Sequence, residues 1–155
     1  DPAQQSGILG VLAEGGIAPE RVRFLGQGTR EAHFEAYREI DLALDPFPHG
    51  GGMTALDAVA MGAPVVSLAG RTICSRVAAG CLTALDLGEF IAFDENTYDR
   101  IAVAAAKNLD SLARLRGELR QRLMRSAIGD SRRYAVAVEA AYRDAWRRAC
   151  MDATA

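Results

Sequence analysis

Lysine is nearly missing from this chain: Lys107 stands alone, and arginine supplies the rest of the 18 basic residues. That bias points to a GC-rich genome rather than to a function. Cysteine is also sparse. Cys74, Cys81 and Cys150 cannot pair completely and show no CxxC or metal-ligand spacing, which excludes a disulfide scaffold and a zinc site. Buried thiols in a reduced, cytoplasmic protein are the expectation. No apolar stretch approaches the ~18–20 residues of a membrane span, and no secretion signal is visible. The net charge of −2 removes any electrostatic case for nucleic acid or an anionic membrane. Neither GxGxxG nor GxxxxGK[ST] occurs, so the two familiar phosphate-loop fingerprints are excluded.

Against these absences, 155 residues of which half are apolar suffice for one sizeable core. The most informative run is IDLALDPFPHGGGMTALDAVAMG, Ile40 to Gly62. Ile40, Leu42, Ala43 and Leu44, broken only by Asp41, predict a strand covered on both faces of a parallel sheet. Pro46 and Pro48 end it. Gly50, Gly51 and Gly52 allow close backbone approach and positive φ. Thr54 is expected to cap a helix that stops at Gly62. A helix N-terminus behind such a loop presents N–H groups and positive dipole charge to an anion, usually a phosphate. Asp57, one turn in, is placed to accept hydrogen bonds from ribose hydroxyls. On local chemistry alone the run reads equally as a phosphate turn or as a plain structural loop.

Elsewhere, Ile8 to Leu12 predict a helix stopping at Gly15 and Gly16, and Val22, Phe24 and Leu25 a brief strand. Glu31 to Tyr37 read as a helix carrying His33 near its start. Ala63 to Leu68 is a second apolar run of strand length. Helices follow over Ser75 to Leu82, around Leu87 to Phe90, and from Tyr98 to Lys107, capped by Asn96 or Thr97. Asp110 begins a long amphipathic helix with Leu112, Leu115, Leu119 and Leu123 on one side. After a break at Ser126 to Ser131, a last helix from Arg132 to about Ala149 carries Tyr134, Val138, Ala141, Tyr142 and Trp146 on one stripe. That stripe reads as core or domain-packing surface. The basic residues in RLRGELRQRLMR and RRYA read as solvated helix faces. Alternating strands and helices argue a parallel α/β sheet, and three clear strands are few for a Rossmann-like half-domain, so further strands are expected before Asp1.

DLALDPFPHGGGMTALDAVAMGAPVVSLAG, followed by RTICSRVAAGCLTALDL, resembles the C-terminal catalytic lobe of the O-linked N-acetylglucosamine transferase (SPINDLY-type) family. The resemblance runs from GIAPERVRFLG to YRDAW, so it covers nearly the whole chain. It implies a partial Rossmann-like GT-B lobe over residues 1–125, with residues 126–155 as a C-terminal helix packing on that lobe or its partner. It further implies a UDP-sugar donor, an acceptor protein or peptide, an upstream N-terminal catalytic lobe, tetratricopeptide repeats still further upstream, and no metal or other cofactor. The transfer implied is of GlcNAc or a related hexose to Ser/Thr. Residue by residue, Gly28 and Arg30 match the loop that reads uracil and meets the ribose. His33, eight residues before Asp41, matches the uridine-contacting histidine. Gly51, Gly52, Met53 and Thr54 match the phosphate-binding turn, and Asp57 the ribose-binding aspartate.

The sequence departs from the family at two of these places and at one position a turn beyond His33. Met53 replaces the first of a threonine pair, Gly52 stands where other members carry histidine, and Ala36 replaces an arginine. His49 is a candidate substitute for the missing histidine. The family's β-phosphate lysine and acceptor-side histidine have no counterpart here, so catalytic residues are expected upstream and the piece alone is expected to be inactive. Two other readings stay open: an Asn-directed glucosyltransferase, and a degenerate, non-catalytic interaction module. Among single residues, Asp45 reads as a ligand group or as a cap of the Pro-Phe-Pro turn, and Asp41 as ordering the strand entry. Arg76 reads as one half of a buried ion pair supporting the loop, and Cys74 and Cys81 as packing residues.

Overall fold

The computed structural model describes residues 1–152; residues 153–155 of the expected C-terminal segment lie outside the described residues. The chain divides into two compact units, Asp1–Ala32 and the remainder from His33. In the first, α1 (Pro2–Glu14) is capped by Asp1, whose carboxylate accepts from the Ala3 N–H at 3.0 Å. It stops at Gly15, with Gly16 at φ +77°, as the paired glycines predict. A single 3-10 turn follows at Pro19–Arg21. Residues 22–25, expected as a strand, form none, because no strand among the described residues pairs with them.

The second unit carries a three-stranded parallel sheet in the order β1 (Ala43–Leu44), β2 (Val65–Leu68), β3 (Ile91–Ala92). Parallel neighbours need crossovers, and helices supply them. The helices are α2 (Arg30–Ala36), which begins in the first unit, then α3 (Met53–Ala60), α4 (Val77–Ala84), α5 (Glu95–Ala106), α6 (Leu109–Arg125) and α7 (Ser131–Asp152). Helix α5 packs on β2 and β3, α4 on β2, and α6 against α3 and α5. Val59, Val66, Leu82, Leu87 and Leu119 are sealed in the core between them. The predicted α/β class with a helical C-terminal segment is what is observed.

Several boundaries differ from expectation. Among the described residues the first strand is not covered on both faces: β1 lies at the edge of the three-stranded sheet, and Leu44 is 56% exposed. The third strand is β3, a two-residue piece too short to show as an apolar run. Helix α3 starts one residue before Thr54, with Gly52 as its N-cap and no side-chain cap. Its end behaves as predicted. Gly62 takes φ +88°, its N–H reaches Val59 O at 3.0 Å, and the Ala63 N–H reaches Ala58 O at 2.8 Å. Those two bonds close the six-residue left-handed stop that glycine favours. Helices α5 and α6 are capped earlier than expected, by Asp94 and Asn108 rather than by Asn96, Thr97 or Asp110.

Helix α7 buries none of its side chains; Tyr134, Tyr142 and Trp146 are 62%, 73% and 72% exposed. Its aromatic stripe is therefore not core within the described residues. Arg116 also departs from the solvated face expected of it. Its guanidinium donates to Ile40 O at 2.7 Å and to Tyr37 O at 2.9 Å, tying α6 to the segment that enters β1. Asp41, expected to order that entry, is exposed and lies 3.9 Å from the same guanidinium.

Candidate functional site

Strand β1 ends at Leu44, and the chain turns through Pro46, Pro48 and three glycines into α3. The turn is built on Asp45, which is 6% exposed. Asp45 Oδ1 accepts from the Gly51 N–H at 2.6 Å, and Oδ2 from the Ser67 hydroxyl at 2.7 Å. The Asp45 carbonyl accepts from the Tyr98 hydroxyl at 3.0 Å, which ties α5 to the same point. Burial, then the negative charges of Asp45 and Asp99, push the Tyr98 phenol above its ordinary pKa. Asp45 is thus neither an exposed ligand group nor merely a proline-turn cap. Both oxygens are engaged inside the protein.

This arrangement explains the glycines differently from the sequence reading. Gly50, Gly51 and Gly52 do not adopt positive φ; among the described glycines only Gly16 and Gly62 do. Space decides instead. A Cβ on Gly50 would lie 2.7 Å from Asp45 Oδ2, and one on Gly51 would lie 2.6 Å from Thr54 Oγ1. The Gly51 N–H, expected to face a ligand, is committed to Asp45. The first turn of α3 supplies the remaining donors, because a helix leaves its opening N–H groups without intrahelical acceptors. Met53 and Thr54, which open that turn, are exposed, and Gly52 is half-buried.

One turn into α3, Asp57 Oδ2 lies 3.6 Å from His33 Nε2, with 27% and 45% of the two side chains exposed. The His33 ring meets Tyr37 edge-on, centroids 5.1 Å apart, and the Tyr37 hydroxyl donates to Thr54 O at 3.1 Å. Burial first, and the Asp57 charge second, raise the Tyr37 pKa, so the phenol keeps its proton and donates. His33, Tyr37, Thr54 and Asp57 therefore form one connected group beside the opening turn of α3. An imidazole edge and a carboxylate side by side can address a base and a vicinal diol, and helix amides beside them can address an anion.

Of the sequence-predicted residues, the structure brings together His33, Gly51, Gly52, Met53, Thr54 and Asp57. Gly28 and Arg30 belong to the first unit, where Arg30 opens α2 and a Cβ on Gly28 would lie 3.2 Å from Ala32 Cβ. His49 is exposed. Arg76 forms no buried pair: its exposed guanidinium donates to Gly70 O at 2.9 Å, so it supports the following loop through a carbonyl. Cys74 and Cys150 are exposed rather than packed; burial of Cys81, itself half-buried, raises its thiol pKa. Sequence reading missed Tyr37, Ser67 and Tyr98. The one available signal was Ser67, a lone hydroxyl inside the apolar run Ala63 to Leu68. Among the described residues no cluster of three or more His, Cys, Asp or Glu could hold a metal, and no helix is long and apolar enough to cross a membrane.

Residues 2–138 match the family model described as Glycosyl transferase family 41. The chain is 36% identical over 144 residues to the probable UDP-N-acetylglucosamine–peptide N-acetylglucosaminyltransferase SPINDLY of Oryza sativa subsp. japonica, covering 92% of this chain and 16% of that protein. It is 29% identical over 135 residues to the UDP-N-acetylglucosamine–peptide N-acetylglucosaminyltransferase of Caenorhabditis elegans, covering 87% of this chain and 12% of that one. A solved structure of a point mutant of the Thermobaculum terrenum O-GlcNAc transferase superposes with a TM-score of 0.89 at 35% identity, over 99% of this chain and 29% of that one. The chain thus spans about a sixth of the rice relative's length.

Proposed function

This chain belongs to glycosyl transferase family 41, and from that premise we propose that it is the donor-binding part of a UDP-sugar-dependent protein O-glycosyltransferase. The observation that carries the reading is the His33–Asp57 pair, 3.6 Å apart beside the exposed opening turn of α3. In this reading His33 meets the uridine, Asp57 accepts from the ribose hydroxyls, and the amides of Gly52, Met53 and Thr54 receive the pyrophosphate. Gly28 and Arg30 contribute to uracil and ribose recognition on the strength of the resemblance. Gly51 shapes the turn rather than touching the ligand, because its N–H is already bonded.

Charge accumulates on the diphosphate as the glycosidic bond to it breaks. Fixed N–H donors and the Thr54 hydroxyl, aimed where that charge grows, stabilise the transition state more than the ground state. Met53 keeps the amide of the family's threonine and loses its hydroxyl, so Thr54 supplies the remaining side-chain donor. The acceptor is a Ser or Thr of a protein or peptide, and the sugar is GlcNAc or a related hexose. The groups that activate the acceptor, an N-terminal catalytic lobe and tetratricopeptide repeats belong in this proposal to the remainder of the longer protein. The stripe Tyr134, Tyr142 and Trp146 on α7, exposed here, is the surface offered to that other lobe.

A second reading rests on Met53, 72% exposed at the turn where a hydroxyl is missing. In it the nucleotide site is lost and the domain serves interaction alone. Calorimetric titration of UDP into the full-length protein separates the two. Thr54→Ala and Asp57→Ala are each expected to weaken UDP binding by ~10-fold, about what one hydrogen bond to a charged group contributes. A well-folded wild-type protein that takes up no UDP would establish the second reading instead.

A further inference from the structure

Asp45 is a carboxylate left only 6% exposed, and every polar atom it has is used inside the protein. Its N–H donates to Val66 O at 2.9 Å, its carbonyl accepts from Tyr98, and its two carboxylate oxygens accept from Gly51 and Ser67. Burying a carboxylate is costly unless its lone pairs are bonded, so this side chain holds its donors to tight positions. The bond to Gly51 is the shorter, at 2.6 Å, and Gly51 lies two residues before the helix whose opening amides form the proposed anion site. Ser67, fully buried in the central strand, fixes the opposite oxygen. The carboxylate therefore bridges the sheet to the turn. Side chains at Gly50 or Gly51 would intrude on its oxygens at 2.7 and 3.1 Å.

We propose that Asp45, pinned by Ser67, is the positioning residue that sets the glycine turn and thereby aims the first amides of α3 at a pyrophosphate. This rests on the nucleotide reading given above. It goes further in separating two parts of the site: the nucleoside end, made by His33 and Asp57, and the diphosphate end, whose geometry depends on a residue that never touches the ligand. A residue with that role acts on the phosphates and leaves the nucleoside alone. A residue needed merely for folding would weaken both together.

The test compares UDP with uridine on the full-length protein. Asp45→Ala removes both acceptors and leaves Gly51 and Ser67 unpaired. Asp45→Asn keeps the shape, and its oxygen can still face Gly51 while its amide donates to a reoriented Ser67 hydroxyl. The Asn variant therefore swaps a charge-assisted bond for a neutral one, roughly half as strong. Asp45→Asn is expected to raise the UDP Kd ~5-fold and Asp45→Ala ~10-fold or more, with the uridine Kd unchanged within about 2-fold. Equal weakening of both ligands, or no change for either in a variant with wild-type circular dichroism, overturns the assignment. Should the Ala variant fail to fold, the Asn variant alone decides. The nucleotide reading has its own arm: a wild-type protein indifferent to UDP, or variants Thr54→Ala and Asp57→Ala that bind it normally, removes that reading and this assignment with it.

Discussion

Replacing a hydrogen by a methyl group should have opposite consequences at Gly50 and Gly117. At Gly117, inside α6, an added Cβ meets nothing within 4 Å. Only the backbone entropy of glycine changes, and Gly117→Ala is expected to stabilise the domain by about 0.8–1 kcal/mol. At Gly50 the same carbon falls 2.7 Å from Asp45 Oδ2, well inside the 3.4 Å at which ordinary contact begins. That oxygen cannot swing aside freely, because the buried Ser67 hydroxyl holds it at 2.7 Å. Either the turn shifts or one carboxylate bond breaks. Losing one bond of a buried polar group costs ~1–3 kcal/mol, so Gly50→Ala is expected to destabilise by about 2 kcal/mol. Urea denaturation followed by circular dichroism reads both variants on one scale, through midpoints at constant slope. The reasoning fails if Gly50→Ala stays within ~0.5 kcal/mol of wild type, the range of an unremarkable surface change. It fails equally if both variants move in the same direction.

Arg116→Lys is expected to destabilise by ~1–3 kcal/mol in the same assay, because one ammonium cannot reproduce the planar fork that reaches both Ile40 O and Tyr37 O. A neutral result would mean that α6 holds the β1 entry by packing alone. The Asp94 carboxylate is held below its ordinary pKa, first by the Thr97 N–H and then by the Thr97 hydroxyl. A depressed folded-state pKa contributes stability above the unfolded value, about 3.9, and that contribution disappears as pH falls through the folded value. Asp94→Asn should accordingly flatten the acid limb of a thermal-melting profile below about pH 4 and leave its shape at neutral pH unchanged. An unchanged acid limb would show that the cap does not titrate with folding.

Legibility from sequence followed the range of the forces involved. The Gly62 stop was readable because a left-handed residue after an apolar helix is a local requirement that glycine meets. The caps were misplaced by two or three residues because Asp94 and Asn108 compete with equally good neighbours, and only the fold selects among them. Strand β3 went unseen since two residues behind a 3-10 turn carry no periodicity. At the candidate site, the glycines were visible but their reason was not. Positive φ is a property of one residue, whereas the space that Gly50 vacates, and part of that at Gly51, belongs to Asp45, whose bond to Ser67 spans 22 positions. Tyr37 and Tyr98 were lost for the same cause: each reaches a backbone carbonyl far along the chain.

The pairing of Ala43 with Val65 and Leu44 with Val66 determines which way Ser67 points. In a strand, neighbouring side chains face opposite ways, so an offset of a single residue would carry that hydroxyl to the far side and strip the carboxylate of a partner. Chains that assembled with the wrong offset could be compact and still have an unsupported turn. Nucleotide uptake would then score how faithfully the two strands had found each other, a quality that bulk helicity would never register.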